Sequence, residues 1–150
     1  MKKILGNPIL ILIVRLIVGY IFISYGIGKI ANADKFAGEI ANYALMPQFS
    51  LNILAITLPW IEVAAGFLLV FGIRLKSGSV ITGGMMLVFI IAIIWAIAMG
   101  LDINCGCSST TPQKVGLPKL LENTGLLLLS LLIYLFPERK FTLESFIVKQ

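Results

Sequence analysis

GSVITGGMMLVFIIAIIWAIAMGL, residues 78–101, decides the fold. No charge interrupts this run. A helix needs about 20 predominantly apolar residues to cross about 30 Å of hydrocarbon. Reading outward, a short basic turn, Ile73-Arg74-Leu75-Lys76-Ser77, leads back to a second apolar run, Leu51–Ile73. Two more complete the chain, Pro8–Gly28 and Leu117–Phe136. Composition agrees. The chain is 59% hydrophobic and 13% charged, with a mean hydropathy of +1.00, against about 45–50% apolar and about 25% charged for a soluble domain. The reading is an all-α integral membrane protein, a four-transmembrane-helix bundle forming a single domain over residues 1–150.

The net charge of +5 does not point to nucleic acid. Most basic residues flank apolar runs, where membrane topology places them. Histidine is absent, which removes the commonest metal ligand and the usual general base. Lys2, Lys3 and Ala31-Asn32-Ala33 have the outline of a cleaved signal. The apolar run is longer than the usual 7–15 residues of a signal and contains Arg15, so it reads as a retained span.

An even number of spans puts both termini on one side. Lys2, Lys3, Arg74, Lys76, Arg139, Lys140 and Lys149 fall there, against Lys29, Lys35, Lys114 and Lys119 opposite. The bias predicts cytoplasmic termini in a cell inner membrane. The first outer loop places Phe36, Ile40 and Tyr43 at i, i+4 and i+7, the stripe of a short interfacial helix. Asn32 or Asp34 would cap it, and Met46-Pro47 would end it. The second outer loop, Asp102 to Lys119, carries Asn104-Cys105-Gly106-Cys107-Ser108 and a polar Ser/Thr stretch.

Cys105 and Cys107 are the chain's two cysteines. Good disulfide geometry needs Cα atoms at least about 4.4 Å apart, which an i,i+2 pair reaches only with strain. A ring this small gains little loop entropy, so a stapling role is improbable. Such a pair suits thiol–disulfide exchange. Two thiolates also suit a soft ion such as Cu(I), but a closed zinc site wants four ligands. No second pair exists to pass a metal on, so the metal reading ranks lower. One pair also limits redox relay. Electrons going further need a cofactor, such as a quinone at the bundle's outer end, or a second partner.

Arg15 and Glu62 lie deep within spans. A charge at the bilayer centre costs at least about 2.5–3.5 kcal/mol, so each is expected to face a partner or a wet cavity. Arg15 is roughly 10 Å and Glu62 roughly 15 Å from the inner ends of their helices. The expectation is that they pair, either to fix helix register or to form a polar site. Trp60, which follows Pro59, and Trp95 are further cavity candidates, although aromatic-belt positions are more usual. Gly19, Gly26, Gly28, Gly66, Gly83 and Gly84 are expected to allow close helix contact. Glu122 and Asn123 open the fourth span and are expected at the headgroup level.

These residues carry a resemblance. Arg15, Gly19-Tyr20-Ile21-Phe22, Gly26-Ile27-Gly28-Lys29, Phe36, Asn42-Tyr43, Leu45-Met46-Pro47, Leu58-Pro59-Trp60-Ile61-Glu62 with Gly66 and Gly72, and Gly100-Leu101 leading to Cys105-Gly106-Cys107 together resemble the DoxX-like membrane proteins. Within them the chain is most similar to the methylamine-utilisation MauE family. The resemblance covers nearly the whole chain and implies a four-helix membrane bundle. It implies work in the maturation or transport of a disulfide-rich periplasmic dehydrogenase subunit, alongside a thioredoxin-like partner. The architecture also resembles quinone-linked disulfide-forming membrane enzymes, whose second cysteine pair this chain lacks.

The leading expectation is a membrane thiol–disulfide oxidoreductase. Cys105 and Cys107 would exchange disulfides with a thioredoxin-fold or secreted partner on the periplasmic or extracellular side, supporting maturation of extracytoplasmic proteins. The alternative is a non-enzymatic carrier or assembly factor for a thiol, a sulfur species or a soft metal ion.

Overall fold

The computed structural model describes residues 7–44, 47–105, 114–137 and 142. Five helices lie among the described residues: α1 Pro8–Ala31, α2 Ala33–Ala41, α3 Gln48–Phe71, α4 Leu75–Ala98 and α5 Leu117–Leu135. Four of them (α1, α3, α4 and α5) are long and apolar enough to cross a membrane. Each coincides with an expected span, with ends displaced by up to three residues. Among the described residues the one extended pairing is an isolated antiparallel bridge, Asn104 with Lys114.

Local chemistry sets the boundaries. The Asn7 side chain accepts the Ile9 N–H at 3.1 Å, and Pro8 opens α1, where its missing N–H costs nothing. Gly72 closes α3 in the left-handed region at φ 70°. The Ile73 N–H donates to Leu68 O and the Gly72 N–H to Leu69 O, which satisfies two carbonyls of the last turn. α3 runs unbroken through Pro59. Asn32 precedes α2 but makes no side-chain cap; its amide donates back to Gly28 O instead.

α1 packs chiefly on α3, and α4 on α5. Lipid tails are as apolar as leucine, so membrane helices associate through close packing and interhelical polar contacts. At the α1–α3 seam a Cβ on Gly66 would lie 2.8 Å from Gly19 O, and one on Gly26 would lie 2.8 Å from Pro59 O. Glycine at these positions is what lets the backbones approach. Gly84 faces open space and Gly83 makes ordinary contacts, so the expected close packing there is not found. The Thr82 and Ser130 hydroxyls, 3.1 Å apart, join α4 to α5. Val18, Phe22, Leu69, Met86 and Leu126 fill the shared core, while Ile13, Phe67, Val88 and Leu128 are exposed on the outside of the bundle, as lipid-facing residues should be.

Candidate functional site

α1 and α3 run antiparallel. At one end of the bundle lie the last turn of α1, all of α2, the first turns of α3 and α5, the last turn of α4, and Cys105. This is the cysteine end. The stripe expected along α2 turns inward: Phe36 and Tyr43 are both buried, and α2 packs over α3.

Cys105 is disulfide-bonded. Cys107, the chain's other cysteine, and the polar stretch after it lie outside the described residues. Cys105 is 6% exposed and packs with Ile93, Val115 and Leu120. Its backbone is held from two directions. The Tyr43 hydroxyl donates to the Cys105 carbonyl at 2.9 Å. The Asn104–Lys114 bridge, with Val115 N–H on Ile103 O at 2.9 Å, brings together the two ends of the segment carrying the cysteines. Burial, and secondarily the charge of Glu39, push the Tyr43 hydroxyl up to about 12. It therefore stays a donor through the physiological range.

The expected Arg15–Glu62 pair is not formed. Glu62 pairs instead with Lys29, at 2.5 Å between Oε1 and Nζ, with both side chains 2% exposed. Arg15 donates from Nε to Leu69 O at 3.0 Å and from a terminal nitrogen to Val70 O at 3.4 Å. These are carbonyls of the last turn of α3, which carries the negative end of the helix dipole. The reason for the exchange of partners is geometric. Gly19 meets Gly66 and Gly26 meets Pro59, which fixes one antiparallel register along the seam. That register places Arg15 opposite Val70, and Glu62 opposite Ile23, eight residues or roughly 12 Å away. Helical side chains also lean toward their own N-terminus. Arg15 therefore leans away from Glu62, whereas Lys29 and Glu62 lean toward each other. Lys29, counted only among the basic residues of the outer side, is the partner that depth alone misses, and side-chain direction is the signal that finds it.

The Lys29 ammonium also sits 4.9 Å from the Phe36 ring centroid and 4.8 Å from that of Phe89. Glu62 Oε2 is buried without a hydrogen-bond partner among the described residues. Glu122 does not stand free at the headgroup level. Its Oε1 accepts from Tyr25 at 2.8 Å and from the buried Lys119 at 2.9 Å, tying α5 to α1.

An apolar cavity of about 250 Å³ opens beside Cys105. Phe36, Tyr43, Leu58, Phe89, Ala92 and Cys105 are among its walls. Neither tryptophan is. Trp60 is 60% and Trp95 46% exposed on the outside of the bundle, so of the two roles considered for them they take the lipid-facing one and not the cavity. Both sit on helix faces turned from the seams. Arg15 lies toward the other end of the bundle. Among the described residues, no three His, Cys, Asp or Glu side chains gather as a metal site would need.

These features define a four-span membrane protein with a disulfide-bonded cysteine anchored at one end of its bundle, beside an apolar cavity and a buried lysine–glutamate pair. The chain belongs to the MauE family: the family model described as methylamine utilisation protein MauE matches residues 7–136. The methylamine utilization protein MauE of Methylorubrum extorquens is 31% identical over 126 residues, covering 83% of this chain and 68% of its own length. Those of Methylophilus methylotrophus and Paracoccus denitrificans are 28% and 26% identical, covering 91% and 89% of this chain and 74% and 73% of their own. No solved structure matches the chain significantly.

Proposed function

We propose that this protein is a membrane thiol–disulfide exchange protein, an accessory to the maturation of extracytoplasmic proteins. The relatives are named for methylamine utilisation, and a membrane accessory role in such a system fits a four-span bundle of this size. The observation that carries the reading is the disulfide-bonded Cys105, belonging to a chain whose two cysteines are one residue apart. Such a disulfide adds almost nothing as a staple, yet its backbone is anchored with care by Tyr43 and the Asn104–Lys114 bridge. The cysteine end would face the outer, oxidising side, with the termini in the cytoplasm, as the basic flanks suggest.

The burial of Cys105 divides the labour between the sulfurs. A partner thiolate attacks Sγ of Cys107, the S–S bond breaks, and Cys105 leaves as the thiolate. The partner's second thiol then resolves the mixed disulfide, leaving a partner disulfide and a Cys105–Cys107 dithiol. A thioredoxin-fold or secreted protein has the chemistry to serve as partner.

Trapping tests this. Cys105→Ser keeps the sulfur that meets the partner and removes the thiol that would release it: the Cys107 thiolate attacks the partner's disulfide, one partner thiol leaves, and acid-quenched cells should accumulate the resulting mixed disulfide, seen on non-reducing gels and by mass spectrometry. Cys107→Ser should accumulate little. Absence of any protein adduct, together with stoichiometric thiol, sulfur or metal ligand on the purified protein, would replace this reading with that of a carrier.

A further inference from the structure

The cavity beside Cys105 is the strongest unexplained feature of the molecule. Its mouth is on the exposed apolar surface of α4, at Val88 and Ile91, so in a bilayer it is entered from lipid rather than from water. An apolar cavity of about 150 Å³ is enough to take up benzene. At about 250 Å³, this one has room for a substituted six-membered ring. It is not walled by hydrocarbon alone. Cys105 forms part of one wall. The Phe36 and Phe89 rings of the cavity are the two that flank the Lys29 ammonium, and behind it lies Glu62 with an unpartnered oxygen. A space meant only for acyl chains has no use for a disulfide-bonded cysteine at its wall or for a buried ion pair behind it.

The thiol chemistry supplies the occupant. If exchange leaves a dithiol, the chain's single cysteine pair must pass two electrons to something else before it can act again. The Cys105 side of the pair faces a lipid-entered, ring-sized space. We propose that this cavity binds a lipid-soluble quinone, which reoxidises the dithiol. The proposal rests on the exchange reading for the source of its electrons and sets their direction.

The step balances. The two S–H bonds of Cys105 and Cys107 break and one S–S bond forms, an oxidation by two electrons. The quinone takes those two electrons, and the two protons released by the thiols end on its two oxygens as hydroxyls. Combined with exchange, a partner dithiol becomes a disulfide and a quinone becomes a hydroquinone. Cys107 serves the partner and Cys105 serves the quinone.

The test uses the full chain in quinone-free lipid nanodiscs, reduced with dithiothreitol, desalted without oxygen, and mixed with ubiquinone-1. Thiol loss is read with a maleimide gel shift and hydroquinone formation by absorbance. The expected result is one hydroquinone per protein at a rate that saturates with quinone. Ala92→Phe, which fills the cavity, should lower that rate by about tenfold or more relative to oxidation of the same variant by glutathione disulfide. Leu58→Trp fills it from another helix should Ala92→Phe fail to fold. Leu128→Phe, on the exposed face of α5, should leave the rate unchanged. A slow, non-saturating oxidation indifferent to both filling variants would overturn the proposal and leave the cavity to lipid. Trapped partner adducts without quinone oxidation would sink this inference alone. Saturable quinone oxidation without any adduct would keep the quinone site and sink the exchange reading.

Discussion

Replacing Glu62 with glutamine should be among the most damaging single changes to the bundle. Nζ of Lys29 and Oε1 of Glu62 are 2.5 Å apart, and at an effective dielectric of about 20 their attraction is about 7 kcal/mol. Removing both ions from water costs several kcal/mol each, so the pair as a whole contributes little net stability. Glu62→Gln removes the attraction and leaves the burial cost of Lys29, which is 2% exposed. The Phe36 and Phe89 faces return only part of this, at about 2 kcal/mol for a desolvated cation–π contact. The expected loss is about 3–5 kcal/mol. Lys29→Met alone should cost a similar amount by leaving a buried carboxylate. The double variant Lys29→Met/Glu62→Leu removes both charges and should lie within about 2 kcal/mol of the native protein. Reversible unfolding in mixed micelles gives the three values, and the cycle gives the coupling. Single-variant losses below about 1 kcal/mol, or a double variant as poor as the sum of the singles, would refute the reasoning.

Three other outcomes follow from the same structure. Gly66→Ala places a Cβ 2.8 Å from Gly19 O and should destabilise the bundle by about 1–3 kcal/mol, whereas Gly84→Ala, facing open space, should be neutral or slightly stabilising in the same unfolding assay. Tyr43 titrates near 12 in the fold against an ordinary value of 10.0; because the folded state holds this proton more tightly, its contribution is complete below about pH 10 and is lost as pH rises toward about 12. Native protein should show tyrosinate absorbance appearing late in an alkaline titration, and Tyr43→Phe should abolish that late component. Asp102→Ala breaks an ion pair whose members are 73% and 71% exposed, so it should change stability by less than about 1 kcal/mol.

The spans were legible because a 20-residue apolar run has few alternatives in water or in lipid. The run at 78–101 is α4 moved by one turn, since Gly72 ends α3 early and Leu75 already begins the next helix. The stripe of Phe36, Ile40 and Tyr43 found α2 because a helical period of buried residues needs only local sequence. The pairing of charges was not found by depth alone. Counting residues from the helix ends put Arg15 and Glu62 at similar depth, but α3 extends past the end of α1 under the cover of α2, and that overhang is a tertiary fact. Side-chain lean would have corrected the pairing, assigning Lys29 to Glu62 and Arg15 to the α3 terminus. Trp60 and Trp95 were candidates for a cavity because they neighbour Glu62 and the cysteine end in sequence. The cavity is built instead from Phe36 and Tyr43 on α2 and its closing turn, Leu58 on α3 and Phe89 on α4, which no single stretch reveals.

The most direct test of the central claim is the reduction potential of the Cys105–Cys107 disulfide. The full chain in nanodiscs is equilibrated with glutathione or dithiothreitol buffers, and thiols are counted by alkylation. Exchange proteins lie at about −120 to −270 mV, and structural disulfides below about −300 mV. The account predicts a value in the first range. A potential below about −300 mV would make the bond a staple and contradict it.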